Sequence, residues 1–169
     1  MGLDMYVSRV KASLVNASDE TDCPIMDRAM KAMGFKTKSE DELSKMSDDA
    51  VTIYWDKWQK ARNKIENKGL VDNDFYYWRK FNALHGWMEN LYREKGGTSV
   101  FNCTNVRLTT EDLDRLTNDT KANKLTAVEG FFFGDQEIYL EDLESIHDFV
   151  TKGKEALDEG YVLFYDSWW

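Results

Sequence analysis

The sequence has few of the residues that define several protein classes. Among its 169 residues there are one proline, Pro24, and two cysteines, Cys23 and Cys103. A single proline excludes a collagenous or proline-rich chain, and two cysteines without a CxxC motif predict neither a zinc site nor a disulfide framework. No stretch approaches the ~20 apolar residues of a membrane-spanning helix. These absences exclude collagenous, disulfide-framework and membrane-spanning classes, although a single disulfide stays open.

The N-terminal segment MGLDMYVSRVK has no cationic leader followed by an apolar run. We therefore expect no secretory signal and a cytoplasmic setting. The chain is nevertheless rich in material for a core, because 42% of its residues are hydrophobic and 14% are aromatic. A disordered chain would be poor in such residues. A chain of this length buries enough surface to fold without disulfide bonds or a structural metal ion, so we predict a single domain over residues 1–169.

The acidic charge is concentrated in the C-terminal third. Residues 109–169 contain five basic and fifteen acidic side chains, a net charge of −10, whereas the whole chain carries −9. This balance disfavours direct binding to nucleic acid. It suits docking on a basic partner protein, and a purely solubilising face is the alternative. The candidate partner-binding residues are four carboxylates and two terminal aromatics: Glu137, Glu141, Asp142, Glu144, Trp168 and Trp169.

The hydrophobic pattern predicts an α+β fold, with a small antiparallel sheet that includes the N- and C-terminal strands and packs against several helices. We predict strands at residues 1–10, 99–108 and 161–165, and helices at 25–33, 47–68, 74–93 and 137–157, with one more beginning near Thr109. Ser47 is the expected N-cap of the second helix. In the last helix we expect Leu140, Leu143, Ile146 and Val150 to face inward. The apolar C-terminal tail suits either a core strand or a homodimer contact.

Residues 76–87, YYWRKFNALHGW, are the segment richest in side chains that could recognise a ligand. Indole rings offer flat faces, a guanidinium group can contact an anion, and amide and imidazole groups can fix its orientation. The candidate residues for a small anionic or nucleotide ligand are Trp78, Arg79, Asn82, His85 and Trp87. The alternative is that the aromatics fill the core and that His85 is a buried, hydrogen-bonded imidazole.

A third hypothesis is a hydrolase that uses His85 with Asp135 or Glu137 as an acid and base pair. The alternative is that the two carboxylates cap the helix that follows them. The chain has no GxSxG motif and no phosphate-binding glycine loop. Its two histidines fall on different predicted helices, so we expect no metal site. We expect no cofactor and rank an enzyme below a binding protein.

Four segments are similar to those of a group of small phage and prophage proteins that have no settled activity. They are MGLDMY at the start, YYWRKFNALHGW in the centre, GFFFGD followed by YLEDLE, and FYDSWW at the end. The resemblance implies an accessory phage protein that works in the cytoplasm of an infected bacterium. Inhibition of a host protein, including a defence component, is the activity that this setting favours, with sequestration of a nucleotide as the alternative.

Overall fold

The computed structural model describes residues 2–128, 133–134 and 136–169. Its strands form one antiparallel sheet with the spatial order β2-β1-β4-β3. The strands are β1 (Asp4–Lys11), β2 (Val71–Arg79), β3 (Asn105–Leu108) and β4 (Tyr161–Trp168). The strands nearest the two chain ends, β1 and β4, are therefore the central pair. This arrangement confirms the predicted α+β fold and the predicted places of both terminal strands.

Six α-helices are found in the described ranges. They are α1 (Ile25–Ala32), α2 (Glu40–Ser44), α3 (Asp48–Asn67), α4 (Asn82–Glu94), α5 (Thr110–Lys121) and α6 (Leu140–Asp158). Polar side chains define where two of them begin. The Ser47 hydroxyl accepts the backbone N–H of Ala50 at the start of α3, and Thr109 and Asp112 form a capping box at the start of α5. Each cap satisfies N–H groups that the first helical turn leaves unpaired.

The sheet has two covered faces. We call the side of Leu163 and Tyr165 the α6 face, because α4, α5 and α6 pack on it. The side of Val162 and Phe164 is the α3 face, because α1 and α3 pack on it. Side chains alternate between the two faces along each strand. Within the described residues, none of the helices has both the length and the apolar character that crossing a membrane requires.

The predicted helix over residues 74–93 is wrong in its first part. Residues up to Arg79 belong to β2, and α4 begins only at Asn82. Trp78 pairs with Met5 and Tyr77 pairs with Tyr6, so the aromatic run follows the two-residue repeat of a strand. Lys80 then turns the chain with a positive φ of 58°. A run of consecutive aromatics fits either repeat, and pairing with β1 decides between them.

Smaller differences concern the other elements. The third strand begins at Asn105 and not at residue 99, and α6 begins at Leu140 and not at residue 137. Ile146 and Val150 face the core as predicted, but Leu140 and Leu143 are 68% and 38% exposed. These two leucines lie in the first turns of α6, before the helix reaches the core. The GFFFGD segment falls mostly outside the described residues. Both cysteines are unpaired thiols.

Candidate functional site

Four of the five residues predicted to bind a ligand lie in the core. Trp78, Asn82, His85 and Trp87 are each at most 6% exposed. Arg79 alone reaches the surface, where its Nε lies 3.7 Å from Asp4. The five side chains therefore share no open surface. The burial of four of them matches the alternative interpretation of this segment, a core face with a buried imidazole, whereas Arg79 lies at the surface.

Each buried polar group of this segment has a structural partner. The Trp78 indole donates to the Ser145 hydroxyl at 3.0 Å, and the Trp87 indole donates to Asp119 at 3.1 Å. The amide oxygen of Asn82 accepts the backbone N–H of Val128 at 2.9 Å. These bonds join β2 to α6, α4 to α5, and the start of α4 to the chain after α5. They satisfy polar atoms whose burial would otherwise be costly.

His85 is held by aromatic rings and one phenol. Its Nδ1 lies 2.9 Å from the hydroxyl oxygen of Tyr165, and its ring packs beside Phe101 and Phe133. Burial lowers the pKa of His85 to about 4. The imidazole is therefore neutral at physiological pH and closed off from solvent. Of its proposed catalytic partners, Asp135 lies outside the described residues, and Glu137 is exposed.

Three of the four predicted partner-binding carboxylates fall at the start of α6, and Glu137 lies just before it. Glu141 and Glu144 are exposed, whereas the Asp142 carboxylate accepts the backbone N–H of Tyr139 at 2.9 Å and caps the helix. Leu140 and Leu143 are exposed beside them. Positions three and four apart share one side of a helix. We call this mixed apolar and acidic surface the α6 patch: Tyr139, Leu140, Glu141, Leu143 and Glu144.

The two C-terminal tryptophans have different roles. Trp168 is 53% exposed, and the alternation along β4 places it on the α3 face, opposite α6. Trp169 packs edge-on against Phe133 at 5.0 Å, and its indole donates to the Phe101 carbonyl at 3.2 Å. Trp168 is therefore an exposed aromatic and Trp169 a partly buried packing residue. The structure does not bring Trp168 and the α6 patch to one surface.

A row of side chains that the sequence analysis missed crosses the α3 face. The strand register places Tyr77, Tyr6, Asp166 and Asn105 side by side on the four strands. The helices α1 and α3 cover the apolar end of this face, around Val10, Val71 and Val162. The row lies at the edge of this cover, where Tyr6, Asp166 and Asn105 are half-buried and residues of α1 and α3 border them, and Trp168 beyond the row is exposed. A single acid in the apolar strand YVLFYDSW was the available sequence signal.

Two adjoining clefts lie along this row, with volumes of about 290 and 310 Å³. Both are lined by Ser8, Asn73 and Asp166. We call the second the Asp166 cleft; its lining is Tyr6, Ser8, Arg62, Asn73, Asp74 and Asp166. A bulge in β2 shapes it, because Val7 pairs with Tyr76 while Arg9 pairs with Asp72. Bulges redirect side chains and often lie next to functional sites.

Asp166 is the electrostatic centre of this cleft. Burial raises the pKa of its carboxyl to about 6. Among the described residues, no hydrogen bond or ion pair to the carboxylate offsets this effect. Burial raises the pKa of Tyr6, and the charges of Asp4, Asp74 and Asp166 raise it further. The cleft thus holds an uncompensated negative charge beside a phenol ring.

Comparison of the chain with protein-family models, with curated proteins and with solved structures finds no match in any of the three. Within the part of the chain that the structure describes, no three His, Cys, Asp or Glu side chains are grouped so as to hold a metal ion. The two candidate surfaces are therefore the α6 patch and the Asp166 cleft, on opposite faces of the sheet.

Proposed function

We propose that this chain acts by binding, and that its acidic C-terminal third docks on a basic surface of a partner protein. Inhibition of a host protein by a phage accessory protein is the setting implied by the sequence resemblance. The observation that supports the proposal is the α6 patch, where Leu140 and Leu143 are exposed beside Glu141 and Glu144. Exposed apolar groups ringed by charge are typical of protein-binding surfaces.

The charges of α6 are distributed in a way that favours its first turns as the contact. Further along the helix, Asp148 is paired with Lys152 at 2.7 Å and Lys154 with Asp114 at 2.5 Å. Within the described residues, Glu141 and Glu144 form no ion pair with a lysine or arginine. Their charges therefore remain available to steer a basic partner toward the helix.

The patch is also held rigidly. The single hydroxyl hydrogen of Tyr76 is shared between the Ser145 carbonyl oxygen at 2.9 Å and the Asp148 carboxylate at 2.8 Å. The Trp78 indole donates to the Ser145 hydroxyl. These bonds fasten the first half of α6 to the edge strand β2. A preorganised helix loses little conformational entropy on binding, which favours affinity.

The two other hypotheses have less support. Nucleotide sequestration at Trp78–Trp87 and hydrolysis by His85 both require side chains that solvent and ligand can reach. Asn82 and His85 are at most 2% exposed. Binding through the acidic third needs no such opening, because its carboxylates are already at the surface.

The test is capture of a partner from bacterial lysate, followed by a purified binding measurement with the captured protein. We compare the wild type with the double variant Glu141→Lys/Glu144→Lys and with the control Glu155→Lys/Glu159→Lys. The control makes the same charge change at exposed positions at the other end of α6. Circular dichroism checks the fold, because lysines in a first helical turn oppose the helix dipole.

We expect the first double variant to associate about tenfold more slowly, and we expect its association rate to lose most of its dependence on salt. The control should keep the association rate and the salt dependence of the wild type. Equal association by all three proteins would contradict the proposal. So would a partner whose binding is strengthened, rather than weakened, by the positive charges at Glu141 and Glu144.

A further inference from the structure

The Asp166 cleft is a candidate second site, separate from the α6 patch. It lies on the α3 face, so it does not depend on the proposed docking of α6. Its floor is formed by Tyr6, Ser8 and Asp166 on the paired strands β1 and β4, and its wall is the bulged segment of β2 that holds Asn73 and Asp74. The helices α1 and α3 cover the apolar part of this face, and Arg62 of α3 reaches the lining of the cleft.

Two carboxylates distinguish the lining of the cleft. Asp166 and Asp74 only accept hydrogen bonds when ionised, and the Ser8 hydroxyl donates to the Asn73 carbonyl oxygen at 3.5 Å. Asn105, which lines the adjoining cleft, is already used, because its amide bonds both the backbone N–H and the carbonyl of Cys23 at 2.9 Å. A ligand with hydrogen-bond donors therefore fits the two carboxylates.

The one cation in the lining is already paired. Arg62 donates its Nε to Glu66 at 2.9 Å and packs over the Trp58 ring at 5.9 Å. Within the described residues it forms no ion pair with Asp166. The cleft thus keeps an excess of negative charge. An anion would face Asp166 and Asp74, whereas a cation would be attracted to both.

Aromatic rings stand beside the acceptors. Tyr6 lines the cleft, and the Tyr77 ring lies 5.1 Å from the Tyr6 ring. Flat rings next to a carboxylate favour guanidinium, because that group is planar, carries five donors and stacks on aromatic faces while it binds a carboxylate. An ammonium group is a compact point charge and would use the rings less well.

We infer that the Asp166 cleft binds a guanidinium group, that of an arginine side chain on a partner peptide. The Asp166 carboxylate accepts two of its N–H groups, the Asn73 carbonyl accepts another, and the Tyr6 ring supports the guanidinium plane. This inference goes beyond the proposed function, since the α6 patch could fail as a docking surface while the cleft still binds arginine.

The experiment is an NMR titration of the ¹⁵N-labelled chain with N-acetyl-L-arginine amide. N-acetyl-L-citrulline amide serves as the control, because citrulline has the same shape without the charge. N-acetyl-L-lysine amide tests whether any cation suffices. The variant Asp166→Asn removes the charge with little change in shape, and Asp158→Asn makes the same change at an exposed position outside the cleft. The amide spectrum of each variant reports its fold.

We expect arginine amide to shift the backbone signals of Tyr6, Ser8, Asn73 and Asp166 and to leave those of α6 unchanged. Lysine amide should bind several-fold more weakly, citrulline amide should cause no shifts, and Asp166→Asn should weaken arginine binding by about tenfold or more. Asp158→Asn should bind as the wild type does.

Three outcomes would overturn the inference. The first is equal binding of citrulline and arginine amides, which would show that charge is not recognised. The second is unchanged arginine binding by a folded Asp166→Asn variant. The third is equal binding of lysine and arginine amides, which would remove the assignment to guanidinium. If Tyr6→Leu lowers the affinity in the folded protein, the stacking contribution is supported; an unchanged affinity counts against it.

Discussion

His85 and Tyr165 are hydrogen-bonded inside the core, with the imidazole Nδ1 2.9 Å from the phenolic oxygen. The pair joins α4 to the central strand β4 across the α6 face of the sheet. Neither side chain is more than 1% exposed. Burial lowers the pKa of His85 to about 4 and raises that of Tyr165 well above its ordinary value. Both groups are therefore uncharged in the folded protein at neutral pH.

The first prediction is a loss of stability in mild acid caused by His85. The unfolded chain takes up a proton at His85 below about pH 6.5, whereas the folded chain resists it until about pH 4. The free energy of unfolding should therefore fall as the pH decreases through this window, by about 3 kcal/mol. Above pH 6.5 His85 contributes no pH dependence.

The variant His85→Gln isolates this contribution, because it removes the titration and keeps a polar group for Tyr165. Urea unfolding at pH 7 and at pH 4.5 is the measurement. The wild type should lose more stability than His85→Gln between the two pH values. An identical loss in both proteins would mean that His85 is protonated in the fold without cost.

The second prediction concerns Asp166 and has the opposite sign. The pKa of Asp166 is raised to about 6, so the folded chain holds a proton there that the unfolded chain releases near its ordinary pKa. Stability from this group is present at low pH and is lost as the pH rises toward and through 6. Asp166→Asn should therefore be more stable than the wild type at pH 7, by about 1–2 kcal/mol after allowance for partial exposure.

Thermal unfolding at pH 7 and pH 4 checks this prediction, with Asp158→Asn as the control. The stabilisation should shrink at pH 4, where Asp166 is protonated in the fold. If Asp166→Asn instead destabilises the protein at pH 7, the carboxylate has a structural partner. If Asp166→Asn is more stable than the wild type but no longer binds arginine amide, then Asp166 lowers the stability of the protein and is retained for binding.

Gly86 and Thr126 supply the third prediction. A Cβ atom added at Gly86 would lie 2.2 Å from the Thr126 carbonyl oxygen, which belongs to backbone. The chain that crosses the start of α4 would have to move, so Gly86→Ala should destabilise the protein by about 1–3 kcal/mol.

Gly153→Ala is the matched control for this prediction. There the new Cβ would meet side chains and no backbone atom, with the ends of Leu113 and Leu163 at 3.1 and 3.2 Å and Phe149 at 3.7 Å. A small movement of side-chain ends costs less than a movement of backbone, and alanine favours a helix over glycine by about 1 kcal/mol. Chemical denaturation should give a markedly lower free energy of unfolding for Gly86→Ala than for Gly153→Ala. Equal stabilities of the two variants would mean that the backbone near Thr126 moves away from the new Cβ without a loss of stability.

Two helix starts that local sequence rules determine were predicted correctly, whereas α2, which begins with the Ser39 and Glu42 capping box, was not predicted. Ser47 and the pair Thr109 and Asp112 begin helices because their side chains bond the first free N–H groups, which is a local effect. The aromatic run before Asn82 was misassigned because pairing with β1 selects the strand, and that partner is distant in sequence, since Tyr77 pairs with Tyr6 near the start of the chain. Local periodicity contains no information about such a partner.

The candidate surfaces were predicted less completely. Glu141 and Glu144 were chosen from charge alone and lie at the surface. Leu140 and Leu143 were assigned to the core because their spacing matches Ile146 and Val150, yet α6 reaches the core only after its first turns. The Asp166 cleft needs the register of three strands and the packing of α3, so a list of motifs could not reveal it. Only the acid within an apolar strand pointed to it.

The last prediction separates the two C-terminal tryptophans. Trp168 is 53% exposed, so Trp168→Ala should change the free energy of unfolding by no more than about 0.5 kcal/mol. Trp169 packs on Phe133, and its indole bonds the Phe101 carbonyl, so Trp169→Ala should cost about 2–3 kcal/mol. Urea unfolding of the two variants gives the comparison directly. A larger loss at Trp168 would mean that this ring is covered in solution, as a homodimer contact would require, and the loss would then depend on protein concentration.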